Sequence, residues 1–260
     1  MEFLLKYGMR KIAICNQKGG VGKTATAVNL SAGLSLAEKR TLLVDFDPQA
    51  NATSGVGVDY KNLEISIYDC LFEPELVTKA IIKTRWLYLS VLPSSPDLVG
   101  AEVELVPENE RERKLKNVFD KVENDYDFAI IDCPPSLGLL TLNALASCDS
   151  VIVPIQCEYY ALEGLEKLLK TLRTVKENLN PNLKIEGILL TMYDARLNLS
   201  KEVVEDIKKH FANSVFETII PRSVRIAEAP SFGKSVLHYN ISSTGAQAYL
   251  SLTKEILNHA

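Results

Sequence analysis

The stretch that decides the fold reads Asn16-Gln17-Lys18-Gly19-Gly20-Val21-Gly22-Lys23-Thr24. A short apolar run, KIAIC at residues 11–15, precedes it and is typical of a buried strand. An Ala/Leu-rich segment, Thr24–Leu36, follows it and predicts a helix. A strand, a glycine-rich loop and a helix in this order form the context of a phosphate-binding P-loop. The sequence therefore predicts a nucleotide-binding protein.

The residue types in this loop suit a nucleoside triphosphate and its magnesium ion. Glycines let the backbone turn tightly, so that its N–H groups and the following helix N-terminus attract phosphate oxygens. We expect Lys23 to reach the β and γ phosphates and the Thr24 hydroxyl to ligate Mg²⁺. The predicted cradle for ATP or ADP comprises Lys18, Gly19, Gly20, Val21, Gly22, Lys23, Thr24 and Ala25.

The loop departs from the general Walker pattern, which requires glycine where this chain has Gln17. The run KGGVGKT instead resembles the deviant P-loop of the ParA/MinD group, which also holds arsenic-pump ATPases and the nitrogenase iron protein. The resemblance implies an ATP-dependent homodimer in which Lys18 reaches across the interface to the partner's nucleotide. One position differs, because the group commonly has three threonines after the lysine and this chain has Ala25 in the second place. We expect somewhat weaker nucleotide binding from the missing hydroxyl.

Two further motifs place carboxylates after apolar strands. Asp45 ends the run at 41–45 and Asp47 follows two residues later, so both side chains can face the phosphate pocket. One would order the Mg²⁺ shell while the other orients a water molecule. Their run, DFDPQAN, resembles the switch of ParA-type ATPases, which implies that Asp47 carries hydrolysis and contributes to the metal site. The strand at 128–131 ends in Asp132, which as a Walker B acid would hold Mg²⁺ through water or Thr24.

The alternation of apolar runs and helical patterns predicts an α/β fold with one doubly wound, mostly parallel sheet flanked by helices. The runs are continuous, which indicates that both faces of the sheet are covered. The predicted domain division is an N-terminal extension over residues 1–10 and a single P-loop ATPase domain over residues 11–260. Besides the first strand, the predicted strands are Thr41–Asp45, Leu87–Leu92, Phe128–Asp132, Val151–Ile155, Ile185–Thr191 and Val215–Pro221. Besides the first helix, the predicted helices are Glu110–Glu123, Leu139–Ser147, Glu158–Asn178, Ser200–Phe211 and Gly245–Asn258.

Two late loops carry arginines and resemble runs of ParA/Soj proteins, TMYDAR at 191–196 and IPRSVRIAEAPSFGK at 220–234. Both follow predicted strands, so they are placed to frame the adenine, with Pro221 and Arg222 as base contacts. The resemblance also implies a DNA-facing surface that includes Arg196, Arg222 and Arg225. The alternative is that these are ordinary surface arginines, since sequence alone does not show whether they share a face.

The net charge, the cysteine spacing and the lengths of the apolar runs argue against several classes of protein. The formal net charge is −4 and the pI is about 5.6, which argues against a globally basic nucleic-acid binder. The five cysteines include no C-x-x-C pair, which indicates reduced thiols rather than a zinc site or a disulfide framework. No run suits a transmembrane span or a secretory signal, and few residues precede the first strand for an added DNA-binding domain.

The leading hypothesis is therefore a Mg²⁺-dependent, slow ATPase of the ParA/Soj chromosome- or plasmid-partition type. The resemblance implies that its ATP-bound dimer binds non-specific double-stranded DNA, and that a ParB-type centromere-binding protein stimulates hydrolysis. It also implies a cytoplasmic, nucleoid-associated protein without stable membrane association. The alternative is a MinD-like membrane-associated positioning ATPase, although the tail SLTKEILNHA has only one lysine. An iron–sulfur ATPase around Cys133 and a small-molecule kinase or synthetase are more distant alternatives.

Overall fold

The computed structural model of the chain describes residues 8–158, 161–211 and 214–258. Most of the predicted N-terminal extension, residues 1–7, lies outside these ranges. The strands are β1 (Arg10–Ile14), β2 (Thr41–Asp45), β3 (Ile82–Lys83), β4 (Leu89–Leu92), β5 (Phe128–Asp132), β6 (Ser150–Gln156), β7 (Lys184–Tyr193) and β8 (Val215–Pro221). The helices are α1 (Lys23–Leu36), α2 (Asn51–Gly55), α3 (Ile67–Phe72), α4 (Val77–Ala80), α5 (Leu98–Glu104), α6 (Lys114–Asp120), α7 (Leu139–Ser147), α8 (Ala161–Asn178), α9 (Asn198–Phe211), α10 (Val224–Glu228), α11 (Val236–Tyr239) and α12 (Thr244–Asn258).

The strands form one sheet in the order β3-β4-β2-β5-β1-β6-β7-β8. Every neighbouring pair is parallel except β3 with β4. The chain moves outward in one direction from β1 to β2 and β4, and in the other direction from β6 to β8. Such a reversal of strand order creates a crevice at the carboxyl ends of the strands, where open α/β sheets bind ligands. The predicted doubly wound, mostly parallel fold is confirmed.

Both faces of the sheet are buried, as the continuous apolar strands predict. Along β1, Ala13 belongs to one apolar core while Ile12 and Ile14 belong to the other. Helices α3 to α9 cover the first face, and helices α1, α2, α11 and α12 cover the second. The edge strand β8 differs, because its burial alternates and Glu217 is exposed. Because β8 lies at the edge of the sheet, one of its sides is not covered by another strand. Its sequence is therefore less uniformly buried than that of a central strand.

The apolar side chains of the last helix, α12, pack on the core. Ile256 is fully buried in α12, and Leu250 and Leu257 are partly buried against the same cluster. Within the ranges that the structure covers, no helix combines the length and apolar character that crossing a bilayer requires.

The largest departures from the sequence prediction lie between β2 and β5. The predicted helix Glu110–Glu123 is shorter, Lys114–Asp120, because Glu110 has a left-handed backbone with φ of 50°. The predicted strand from Leu87 begins at Leu89, since Tyr88 is also left-handed, with φ of 62°. Such angles interrupt regular structure in residues other than glycine. The helices α2 to α5 and the two-residue strand β3 are too short to produce a recognisable periodic pattern of apolar residues in the sequence.

Candidate nucleotide-binding site

The glycine loop lies between the end of β1 and the start of α1, at the carboxyl edge of the sheet. Gly20 and Gly22 have φ of 76° and 90°, angles that a side chain at these positions would strain. The Thr191 hydroxyl at the end of β7 donates to the Val21 carbonyl at 2.9 Å and fixes the loop to the neighbouring part of the sheet. Asn16 anchors the other end of the loop, donating from its side chain to the Pro154 carbonyl at 2.8 Å.

The two lysines of the motif occupy different environments. Lys23 is buried, and its Nζ donates to the Lys18 carbonyl at 3.1 Å, so its charge lies inside the loop. Lys18 is exposed and forms an ion pair with Glu158, which follows β6. The charge of Lys23 therefore lies inside the phosphate loop, whereas the charge of Lys18 lies on its solvent-exposed side. Sequence reasoning missed Glu158, because nothing local marks a carboxylate so distant in sequence as the partner of Lys18.

Asp45 and Asp132 lie opposite each other where β2 pairs with β5, and both are fully buried. Asp45 is well satisfied, because it accepts hydrogen bonds from the Thr53 amide and hydroxyl, both at 2.7 Å, and from the Asp47 amide at 3.3 Å. Burial nevertheless raises the pKa of Asp45 to about 6, against the opposing effect of these donors. In this arrangement Asp45 anchors the start of α2.

Asp132 has the opposite character. Neither of its carboxylate oxygens has a hydrogen-bond partner among the described residues. Burial and then the neighbouring charge of Asp45 raise its pKa, while the nearby Thr24 hydroxyl and Lys23 act in the other direction. A buried carboxylate without donors is costly, and a cation is the usual compensation.

Asp47 lies just beyond β2, is also buried, and accepts from the Gln49 amide at 2.9 Å through one oxygen. Thr24, Asp47 and Asp132 supply hydroxyl and carboxylate oxygens, the donors that Mg²⁺ prefers. No cluster of three or more His, Cys, Asp or Glu side chains in the described ranges forms a self-sufficient metal site. These residues therefore fit a magnesium ion that takes part of its coordination from bound phosphates, and their role as its ligands stays a prediction.

A cavity of about 430 Å³ extends from the loop toward the ends of β7 and β8. This volume suits a small-molecule ligand. Its lining includes Thr24, Ala25, Met192, Pro221, Arg222 and Lys234. The late loop thus meets the P-loop in one cavity, although contact of Pro221 and Arg222 with a base stays a prediction. Met192 turns into the cavity wall with a left-handed φ of 53°.

The three predicted DNA-contacting arginines are exposed and follow β7 and β8. Arg196 pairs with Asp194 at 2.6 Å, which is the main reason that the pKa of Asp194 falls to about 2. Arg222 also lies close enough to lower this pKa, so the two arginines share a region of the surface. Arg225 pairs with Glu228 at 2.8 Å.

Two contacts that sequence reasoning missed tie α5 to the acidic motifs. The Ser94 amide, just before α5, donates at 3.1 Å to the Thr53 hydroxyl that holds Asp45. Glu102 on α5 accepts from the amide of Leu139 at 2.8 Å, at the end of the loop that follows Asp132. These contacts join residues far apart in sequence, so no local motif could have revealed them.

Comparison with known proteins shows that this chain is similar to chromosome-partitioning proteins. Residues 9–185 match the AAA domain family. The chain is 55% identical to the sporulation initiation inhibitor protein Soj of Bacillus subtilis, over 94% of this chain and 97% of that protein. It is 54% identical to the chromosome partitioning protein ParA of Myxococcus xanthus, over 95% of this chain and 88% of that protein. A cobyrinic acid a,c-diamide synthase of Mycobacterium smegmatis, solved with ADP and magnesium, is 37% identical, with a TM-score of 0.85 and coverage of 96% and 95%.

Proposed function

The chain belongs to the ParA/Soj family of chromosome-partitioning ATPases, and we propose that it is an ATP-dependent dimerising switch that acts on DNA. In this proposal a single ATPase domain over residues 11–260 binds Mg²⁺ and ATP and hydrolyses ATP slowly. The ATP-bound homodimer binds DNA without regard to sequence, and the monomer releases it. This cycle segregates a chromosome or plasmid.

The observation that carries the proposal is the position of Lys18. Its side chain is about half exposed at the mouth of the phosphate loop, outside the cradle that Lys23 fills from within. A cation there is available to the phosphates of a second nucleotide on a facing subunit. Its ion pair with Glu158 is partly solvated, and such pairs contribute at most about 1 kcal/mol. Exchanging Glu158 for a triphosphate is therefore energetically accessible.

We assign the hydrolytic chemistry to the acidic edge of the sheet. Lys23 inside the loop and Lys18 from the facing subunit neutralise phosphate charge. Asp47 is free on one oxygen and is positioned to orient the attacking water, whereas Asp45 is engaged by Thr53. Thr24, Asp47 and Asp132 would hold Mg²⁺, which, when bound, neutralises developing charge on the phosphates.

We propose that DNA binding depends on dimerisation. Arg196, Arg222 and Arg225 are exposed at the same end of the sheet, but Asp194 and Glu228 balance part of their charge. One subunit thus presents a weak basic surface, and a dimer doubles the number of phosphates it neutralises. Since each neutralised phosphate releases counterions, affinity rises steeply with the number of contacts and falls steeply with salt.

The remaining parts of the proposal concern partner and location. A ParB-type centromere-binding protein stimulates hydrolysis and returns the dimer to monomers. The protein is cytoplasmic and nucleoid-associated, with ATP, ADP and Mg²⁺ as its cofactors. The partition proteins are nearer in sequence than the synthase, which favours this function over synthesis of a small molecule.

Sedimentation with Mg²⁺ and ATP tests the Lys18 assignment, in an Asp47→Ala background that slows hydrolysis. We expect dimers in this parent and monomers when Lys18→Ala is added. Adding Glu158→Gln should produce dimers at lower protein concentration, because Lys18 no longer has a competing partner. Lys39→Ala is the matched control, an exposed lysine at the opposite edge of the sheet. Dimerisation of the Lys18→Ala variant at the parent's concentration would refute the assignment.

A further inference from the structure

A cleft of about 280 Å³ lies between the second half of helix α8 and the start of strand β7, and we call it the α8–β7 cleft. Four of its lining residues are apolar. Leu172 and Leu183 are buried, Leu169 is partly buried, and Ile185 is 43% exposed. The cleft therefore presents apolar surface to the solvent. Its volume is just below the roughly 300–1,000 Å³ of small-molecule sites, which favours an anchoring side chain of a peptide over a whole ligand.

The other side chains that line the α8–β7 cleft are all cationic. Arg173 and Lys176 are exposed on α8, three residues apart, and Lys184 is exposed at the start of β7. None of the three forms an ion pair within the described part of the chain. Residues 169–185 contain four cations and one carboxylate, Glu177, which does not line the cleft. An anionic group in the cleft would therefore meet three uncompensated positive charges and no lining carboxylate.

The combination of apolar and cationic residues indicates the class of partner. Leu169, Leu172 and Lys176 lie three and four residues apart along α8, so one face of the helix carries both kinds of side chain. The phosphates of a nucleic acid would neutralise the cations but leave the apolar residues uncovered. An amphipathic protein helix with leucines spaced three and four residues apart and carboxylates beside them matches both features.

The chain segment that forms one side of the α8–β7 cleft is fixed by hydrogen bonds. The Asn180 side chain donates to the carbonyls of Leu145 and Cys148 at 2.9 and 2.8 Å. The Leu183 amide donates to the Asn180 carbonyl at 3.0 Å, and the Lys184 amide donates to the Asp149 carbonyl at 3.1 Å. These bonds attach the turn between α8 and β7 to the neighbouring part of the sheet. A partner would therefore meet a cleft that is already formed, which lowers the entropic cost of binding.

The α8–β7 cleft lies at the opposite end of the sheet from the nucleotide cavity. Lys184 begins β7 and lines the cleft, whereas Thr191 lies near the other end of β7 and lines the nucleotide cavity. Seven residues of strand separate the two, a distance of about 23 Å. A partner in the cleft would therefore compete neither with a nucleotide nor with a subunit that faces the nucleotide cavity.

We propose that the α8–β7 cleft is a docking site for an acidic amphipathic helix of a partner protein. One large apolar side chain of that helix enters the cleft against Leu172 and Leu183, and its carboxylates pair with Arg173, Lys176 and Lys184. Docking is independent of the nucleotide, so the partner stays attached to the monomer and to an ATP-bound dimer alike. The docking does not rest on the proposed partition cycle and is measured without it.

The test uses fluorescence anisotropy of a labelled synthetic helix of leucine and glutamate, with leucines spaced three and four residues apart. We expect the full chain to bind it equally with ATP, with ADP and without nucleotide, and more weakly as salt rises. A peptide with lysine in place of glutamate is the charge control and should not bind. Arg173→Glu/Lys176→Glu should weaken binding about tenfold or more, because two attractive contacts become repulsive. Ile185→Ser should weaken it about threefold or more, since apolar contact is lost.

Lys167→Glu/Lys170→Glu is the matched control, because it makes the same charge change at the same spacing on α8. Both lysines are exposed and neither lines the cleft. We expect this variant to bind the glutamate peptide within about threefold of the native affinity, since more distant exposed charges are screened by salt. ATP binding by every variant checks that the chain is folded.

Three results would overturn the proposal. The first is an equal loss of affinity in the two double variants, or equal binding of the lysine peptide, because charge alone would then account for binding. The second is a native chain that does not bind the glutamate peptide, or that binds it with only one nucleotide state. The third is loss of ATP-dependent DNA binding, or of binding to anionic phospholipid vesicles, in Arg173→Glu/Lys176→Glu but not in its control. That result would assign the cleft to nucleic acid or to a membrane.

Discussion

Replacing Asp132 with asparagine should stabilise the nucleotide-free protein while removing its response to magnesium and ATP. The carboxylate is fully buried, accepts no hydrogen bond among the described residues and lies beside buried Asp45. Leaving such a group unsatisfied costs about 1–3 kcal/mol. For a chain of this size each kcal/mol changes Tm by about 2–4 °C, so we expect Asp132→Asn to raise Tm by about 2–12 °C.

Asp45→Asn is the matched control, because Asp45 is equally buried in the adjacent strand but accepts three hydrogen bonds. Its amide would place a donor against the Thr53 amide, so we expect a loss of about 1–3 kcal/mol. Calorimetry without nucleotide measures both changes, and a repeat with Mg²⁺ and ATP measures the ligand-induced rise. A lowered or unchanged Tm in Asp132→Asn, or a full response to Mg²⁺ and ATP, would refute the reasoning.

Three further predictions follow from individual contacts. Gly33→Ala should destabilise the protein by about 1–3 kcal/mol, measured by urea unfolding, because its Cβ would lie 2.0 Å from the Thr253 hydroxyl. His238 stacks on Trp86, the only tryptophan, at 4.3 Å, and burial is the main reason that its pKa falls to about 4. Since the unfolded state binds this proton more readily, stability is present above pH 6.5 and declines as pH falls toward 4, and His238→Gln should reduce that loss. Trp86 fluorescence should titrate near pH 4, and a midpoint near 6.5 would contradict the assignment. Ala25→Thr should strengthen ATP binding about 2–10-fold in calorimetric titration, since it adds one hydrogen bond.

The central fold was predictable because its strands are strong local signals. β2 and β5 are fully buried and entirely or mostly apolar until a terminal aspartate, and their predicted bounds, Thr41–Asp45 and Phe128–Asp132, match the structure. The region between them was less predictable, since a left-handed residue such as Glu110 delays the start of a helix, and the periodicity of the sequence does not show this. Short helices there gain their stability from tertiary packing, which a local pattern does not report.

The site was predictable to the extent that its motifs are local. The glycine loop, Asp47 and Asp132 are each recognisable from their own neighbours in sequence. The different roles of the neighbouring carboxylates could not be predicted from sequence. Asp45 accepts hydrogen bonds from Thr53, whereas Asp132 accepts none among the described residues, and only the folded structure shows this difference. The same holds for the Lys18–Glu158 pair, which only folding brings together.

The most direct test of the proposed function is binding to random-sequence duplex DNA with ATP, with ADP and without nucleotide, beside liposomes as the membrane control. We predict binding with ATP alone, retained in the Asp47→Ala variant and weakened by salt. If three arginines from each subunit contact phosphates, the slope of log affinity against log salt should be about −5. Arg196→Glu and Arg225→Glu should abolish DNA binding and leave ATP-dependent dimers intact, because neither arginine lines the nucleotide cavity. Binding to liposomes instead of DNA, or DNA binding indifferent to nucleotide, would contradict the account.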